Sequence, residues 1–172
     1  MAVEAARDAL GERGRAEIAS LTLASTRRPF GDLQSASIVA SALDLSRGTR
    51  TLDAGQSQRA GVAALLGQLR AADGQALFIA SDHPSAKPAS SQELGYGAGA
   101  AAFTLGSVDV IAELAGSASS FNMFVDHFRA ADGKHDYYWE ERWIRDEGLV
   151  KIVPGTVAAA LADAGVLADQ VK

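Results

Sequence analysis

Apolar residues recur along this chain in two rhythms, one of helical spacing and one of short unbroken runs. Val3, Ala6 and Leu10 stand among Glu4, Arg7 and Asp8, which predicts an amphipathic helix over 2–11 closing at Gly11 or Gly14. The run IASLTLA (18–24) reads as a strand, and Ser25-Thr26-Arg27-Arg28-Pro29-Phe30-Gly31 breaks it as a loop. A helix over 34–43, a short strand at 50–53, a strongly apolar helix over 57–72 and a buried strand QALFIAS (75–81) follow. In the 57–72 segment Ala60, Gly61, Ala63, Ala64, Leu65, Leu66 and Leu69 leave almost no polar face, so this is expected to be the most buried helix. The order α-β-α-β-α-β with short connections predicts an α/β fold with a mostly parallel sheet covered by helices on both faces.

Beyond residue 81 the pattern changes. SDHPSAKPASSQ (81–92) is a polar loop holding two of the four prolines, and 97–104 with 108–115 reads as an antiparallel pair turning at Leu105-Gly106-Ser107. The sheet is therefore expected to be mixed, with about five strands. Residues 121–147 hold both tryptophans, Tyr137, Tyr138 and two of the three histidines. This aromatic-rich excursion, counted from 117, is expected to contact another chain or segment through 121–143, because aromatic and arginine enrichment marks interface centres. Pro154 and the following TVAAALADAG predict a closing helix stopped at Gly165.

Composition narrows the function classes. The 172 residues allow one ordinary domain, and 48% hydrophobic content is enough for a core. The 35 alanines and 17 glycines, against 6% aromatics, require that core to be built of small side chains that let elements approach closely. A formal charge of −5 without a basic stripe argues against a nucleic-acid partner. No stretch is apolar enough to span a membrane, and the first residues lack the order of a signal peptide, so a soluble cytoplasmic protein is expected. Zero cysteines exclude disulfides, thiolate metal sites and thiol nucleophiles from this chain.

Four features offer chemistry. The glycines of Gly95-Tyr96-Gly97-Ala98-Gly99 follow a polar loop and run into a strand-like stretch, so they lack the strand-to-helix context of a dinucleotide fingerprint and are expected to serve close backbone packing. Ser57, between a strand and an apolar helix, sits where a nucleophile elbow would place it, but Arg59 replaces the second glycine of G-x-S-x-G. Ser57 is expected to act as an N-cap instead, and Arg59 to face solvent. Among the histidines, His83 beside Asp82 is the best acid/base candidate, although a loop histidine is ordinarily a surface group; His127 and His135 complete the set, and no metal-ligand spacing occurs. The charged run Asp132, Lys134, Asp136, Glu140, Glu141, Arg142, Arg145, Asp146 and Glu147 reads as a salt-bridged surface.

Taken together, three stretches resemble the thiolase superfamily, in the branch of hydroxymethylglutaryl-CoA synthase and ketoacyl-acyl-carrier-protein synthase III. Glu93-Leu94-Gly95-Tyr96-Gly97-Ala98-Gly99-Ala100, followed by Asp126-His127-Phe128-Arg129 and Asp132-Gly133-Lys134, looks like the family's E-x-x-x-G-A-G-A strand and its D-F-W-R … D-G-K segment. Ser25 to Phe30 resembles the S-E-S-x-P-Y loop, and Gln58-Arg59-Ala60-Gly61-Val62 the C-K-A-G-T nucleophile turn. The resemblance places Gln58 (or Arg59, with a slip of one) at the nucleophilic cysteine and Thr26 at the acid/base glutamate. Neither can do that chemistry. It also implies a thiolase-like half lacking the first strand and most of the second half, as a fragment or as a degenerate relative. Acyl-CoA is then the implied substrate, with no cofactor and no metal. The implied partners are thiolase-like subunits in a homo- or hetero-oligomer, or a zinc-ribbon/OB-fold acyl-CoA-binding protein. Two functions follow from the resemblance: a portion of an acyl-CoA condensing enzyme, or a non-catalytic scaffold subunit.

Overall fold

The computed structural model describes residues 1–71 and 74–171. The chain divides into two compact units, residues 1–84 with 94–111, and residues 85–93 with 112–172. From the N-terminus, α1 (Ala2–Leu10) leads through a short 3-10 turn into β1 (Ile18–Ala24), then α2 (Ser35–Ala42), β2 (Arg50–Ala54), α3 (Ala60–Arg70), β3 (Gln75–Asp82) and, after α4 (Ser91–Gly95), β4 (Gly99–Leu105). The sheet order is β2-β1-β3-β4, with β2 and β4 at its edges. The first three strands are parallel and β4 runs antiparallel to β3. This is the mixed, mostly parallel sheet that the alternation of elements predicts.

The two faces of the sheet are unequally covered. In the parallel register Leu21 pairs with Leu77 and Leu23 with Ile79. Their side chains share one face with Ala6 and Leu10 of α1, Ala36 and Val39 of α2 and Leu43 just after it, forming a continuous buried core. The alternate positions point the other way, toward α3. There Thr22 and Phe78 are buried, but their cross-strand neighbours Leu52 and Phe103 remain 57% and 48% exposed, although Phe103 stacks on Phe78 with centroids 6.4 Å apart.

Three sequence expectations are corrected here. The helix expected over 57–72 starts at Ala60, and its expected end, Ala72, lies outside the described residues. It is not the most buried helix: only Ala60 is buried, and Val62 is 75% exposed. Helical periodicity reports how apolar a helix is, not what covers it, and α3 is a single short helix over four strands. The strand expected at 108–115 does not form. Asp109 adopts a left-handed conformation (φ 52°), and Val108 and Ile111 are exposed with no strand beside them, so β4 pairs with β3 alone and the sheet has four strands.

In the second unit a two-stranded ribbon, β5 (His127–Phe128) and β6 (Tyr137–Tyr138), precedes α5 (Glu141–Trp143), a π-helical turn Ile144–Leu149 and α6 (Val150–Ala164). The closing helix begins before Pro154 rather than after it. Its stop is as expected: Gly165 takes the left-handed conformation (φ 65°) and caps the last carbonyls, with Val166 N donating to Leu161 O. Glu140 accepts from Arg142 N and Trp143 N, so it caps α5. The charged run is partly paired: Arg145–Asp146 at 2.8 Å and Lys151–Glu147 at 2.7 Å lie on the surface, whereas Arg129–Asp136 at 3.1 Å is shielded, with the Asp136 side chain 5% exposed. Its rings form a ladder: Phe124 stacks on Trp143 at 4.5 Å, Trp139 leans on Trp143 at 5.6 Å, and Tyr137 meets Phe128 at 5.3 Å. Trp139, Trp143, Tyr137 and Phe128 all stay exposed.

Two residues at the end of β2 are decisive for the first unit. Asp53 accepts from Ser35 N (2.8 Å), Ala36 N (2.7 Å) and Arg28 Nη1 (3.2 Å), so a strand-end carboxylate satisfies the first turn of α2. Gly55 passes so close to the β1–α2 loop that a Cβ there would lie 2.9 Å from Ser25 O. Asp53→Ala is expected to cost about 2 kcal/mol, since it orphans two helix N–H groups and an arginine. Gly55→Ala is expected to cost about 1–3 kcal/mol through overpacking against backbone. Urea denaturation of the two variants measures both, and an unchanged midpoint in either would contradict the account given for that residue.

Candidate functional site

The C-terminal ends of β1 and β3, the start of β4 and the turn entering α3 meet around an open cavity of about 440 Å³. Open α/β sheets place ligands outside the carboxyl ends of their parallel strands, and the register explains why the space exists here. Ala24 pairs with Ala80, Ala80 with Ala101, Ser81 with Ala100 and Asp82 with Gly99, so no large side chain fills the end of the sheet. One wall is thus made of alanine and glycine, with Ala60 and Gly61 of α3 closing the other side.

The polar lining comes from Ser25, Thr26, Ser57, Gln58, Ser81 and Asp82. Thr26, Ser57 and Gln58, singled out from distant parts of the sequence, therefore share one cavity. Thr26 donates twice to the same carboxylate oxygen, from N to Asp82 Oδ2 at 3.0 Å and from Oγ1 at 2.6 Å. Asp82 Oδ1 accepts from His83 N at 3.1 Å. Ser25 Oγ donates to Arg27 O (2.8 Å) and accepts from Arg27 N (3.1 Å), which folds the loop back on itself beside the cavity.

The helix side is a tight turn. Gln56 holds a left-handed backbone (φ 64°) where side chains other than glycine are uncommon. Ser57 Oγ accepts from Arg59 N at 3.1 Å, and Ser57 O accepts from Ala60 N at 2.9 Å. Ser57 is thus not the N-cap of α3, a place taken by Arg59 without a side-chain cap bond; its hydroxyl stabilises the turn one step earlier. Arg59 is exposed, as expected.

His83 is exposed and its ring is not part of the lining. His127 Nδ1 lies 3.1 Å from Asp126 Oδ1, and His135 Nδ1 lies 3.4 Å from Ser85 O, both in the second unit. No group of three or more His, Asp or Glu side chains suited to a metal occurs among the described residues. The glycines at 95, 97 and 99 do not serve close packing, because a Cβ built on any of them meets nothing within 4 Å. Gly99 instead leaves space at the cavity rim. The residue that sequence reasoning passed over is Asp82, considered only as a neighbour of His83. Its signal was position: a carboxylate closing a buried parallel strand.

No family model matches the sequence, and no curated protein matches it. Solved structures do match. Xanthomonas campestris OleA with bound lauric acid and lauroyl-CoA superposes with a TM-score of 0.79 at 21% identity, over 98% of this chain and 57% of that one. HMG-CoA synthase complexed with CoA gives 0.79 at 17%, over 98% and 45%. FabH, the 3-oxoacyl-(acyl carrier protein) synthase III of Pseudomonas aeruginosa PAO1, gives 0.75 at 23%, over 96% and 55%. The fold is thiolase-like. The resemblance read from the motifs is borne out at the level of fold, and the chain spans about half the length of these thiolase-like structures. No helix among the described residues is long and apolar enough to cross a membrane.

Thr26→Val removes the hydroxyl bond to Asp82 but keeps the backbone one. It is expected to cost about 1 kcal/mol, while Asp82→Ala, which strands both Thr26 donors, is expected to cost about twice as much. Thermal or urea unfolding compares the two, and the reverse order would mean that the pair does not tie the loop to β3.

Proposed function

We propose that this chain is a portion or subunit of a hydroxymethylglutaryl-CoA synthase-like acyl-CoA condensing enzyme, and that it is not catalytically competent alone. The observation that carries the reading is the cavity at the strand ends. It has the small-residue walls an acyl thioester needs, yet Gln58 and Thr26 line it at the positions the resemblance assigns to nucleophile and acid/base. A covalent route needs a thiol or an equivalent nucleophile, a base within about 3 Å and donors for the developing oxyanion. The chain has no cysteine, Ser57 holds a turn, and the ring of His83 lies off the lining. Structures of the same fold hold CoA, or lauric acid and lauroyl-CoA, which supports an acyl-CoA ligand.

The missing groups then come from another thiolase-like half or subunit, which the exposed α3 face with Val62, Leu52 and Phe103 supports. The exposed ring ladder of the second unit is a further surface for a partner, of which a zinc-ribbon/OB-fold acyl-CoA-binding protein is one. The alternative reading, a scaffold subunit that stabilises an active partner, is supported by Gln58 and Thr26, which cannot do the chemistry of the positions the resemblance assigns to them.

Purified chain incubated with acetyl-CoA is expected to show no covalent adduct by intact mass spectrometry, and an adduct appearing only in Gln58→Cys would mean that the site kept its shape after losing its nucleophile. An acetyl adduct on the unmodified chain that disappears in Ser57→Ala would overturn the proposal of catalytic incompetence. Sedimentation velocity is expected to show self-association through the α3 face that Val62→Asp reduces; a monodisperse monomer of the unmodified chain would count against the exposed face as a docking surface.

A further inference from the structure

The outer edge of β4 carries an inference that does not depend on the acyl-CoA reading. β4 pairs with β3 on one side and, among the described residues, with no strand on the other. Nor does any residue of Gly99–Leu105 bond through its backbone to a loop or turn among the described residues, so the outward N–H and C=O groups of this strand are available for pairing. The strand is uncharged and graded in size: Gly99, Ala100, Ala101 and Ala102 are small, and Phe103, Thr104 and Leu105 are larger. Its odd positions share the face on which the half-exposed Phe103 stacks against Phe78, while Ala102 on the other face packs against the core.

A strand graded in this way is complementary to itself run backwards. When two copies meet edge to edge about a two-fold axis, the strands run antiparallel and directly opposite residues project to the same face. The register centred on Ala102 pairs all seven residues: Ala102 meets its counterpart, Ala101 the partner's Phe103, Ala100 the partner's Thr104 and Gly99 the partner's Leu105. Every larger side chain then lies beside a small one, and no like charges are opposed. The two Phe103 rings fall on one diagonal within reach of each other, which continues the Phe78–Phe103 stack across the axis. We propose that a second copy of this chain docks on the β4 edge in this register and joins the two four-stranded sheets into one. A seven-residue edge is about 24 Å long, and with a half-exposed ring from each copy the contact removes on the order of 800 Å² in total, the size of a weak, reversible dimer. The pairing also reaches the strand-end cavity. Gly99 and Ala101 line it, so the partner's Leu105 and the partner's Phe103 add an apolar wall along its β4 border, and each copy contributes to the site of the other.

Sedimentation velocity on the purified full chain, from about 10 μM to about 1 mM, is expected to show a reversible monomer–dimer equilibrium. Ala101 is exposed, and Ala101→Lys sets a charge against the partner's Phe103 and near its own counterpart, so it is expected to weaken the dimer about tenfold or more. Because the chain has no cysteine, single thiols report the geometry directly. Ala101→Cys, whose two copies lie on a short diagonal in this register, is expected to be linked into a covalent dimer by a short bis-maleimide, and Val62→Cys on α3 is not. A chain that stays monomeric over the whole range would overturn the proposal. A dimer that keeps its affinity in an Ala101→Lys protein with native circular dichroism would overturn it as well. Linkage through Val62→Cys without linkage through Ala101→Cys would assign the association to the α3 face, and would leave that docking surface standing while this one falls. If Ala101→Lys does not fold, the two cysteine variants decide the question alone, and absence of linkage in Ala101→Cys overturns the proposal.

Discussion

The parallel register between β1 and β3 places Leu21 beside Leu77 and Leu23 beside Ile79, and most of the first unit depends on that pairing. A slip of one residue would turn these four aliphatic side chains away from α1 and α2 and bring Thr22 and Phe78 into their place. It would also move the strand ends. Because Ala24 and Ala80 finish the pair side by side, the sheet ends in small residues, and the next positions, Ser25 and Ser81, start the polar rim. Core and cavity thus arise from one alignment, with large aliphatic residues in the middle of the strands and small ones at their carboxyl ends.

Much of this was legible beforehand. The strands over 18–24 and 75–81, the helices at 2–11 and 34–43, and the mixed sheet could be read because apolar runs and helical spacing are local signals. The failures have physical causes of a different kind. The apolarity of α3 is real, but burial depends on what else is present, and one helix cannot shield Leu52 and Phe103 at opposite sides of four strands. The run over 108–115 has strand composition, yet Asp109 interrupts it with a left-handed backbone, and the outer edge of β4 pairs with no strand among the described residues. Of the site, Thr26, Ser57 and Gln58 were found through a resemblance of motifs, which geometry then gathered into one cavity. Asp82 was missed because its importance lies in two hydrogen bonds to a residue 56 positions away, which no local pattern encodes.

Asp53 near the end of β2 and Asp82 at the end of β3 stand on either side of β1 and have opposite duties. Asp53 turns toward α2 and is consumed by two helix N–H groups and Arg28, so it is a structural carboxylate. Asp82 turns toward the β1–α2 loop, where a side-chain hydroxyl and a single backbone N–H meet it, and it borders open space. Two acids at strand ends look alike in sequence, and only their donors tell which one a ligand can reach.

The outer border of β4 carries a consequence for how such a chain behaves in a crowded solution. Gly99-Ala100-Ala101-Ala102-Phe103-Thr104-Leu105 contains no charge and no proline, and as an edge strand it offers unpaired backbone groups to any extended segment that drifts past. At the opposite border, β2 carries the exposed Arg50, which makes like-with-like pairing less welcoming. The molecule therefore has one charged margin and one uncharged one, and an extended segment meets less resistance along β4.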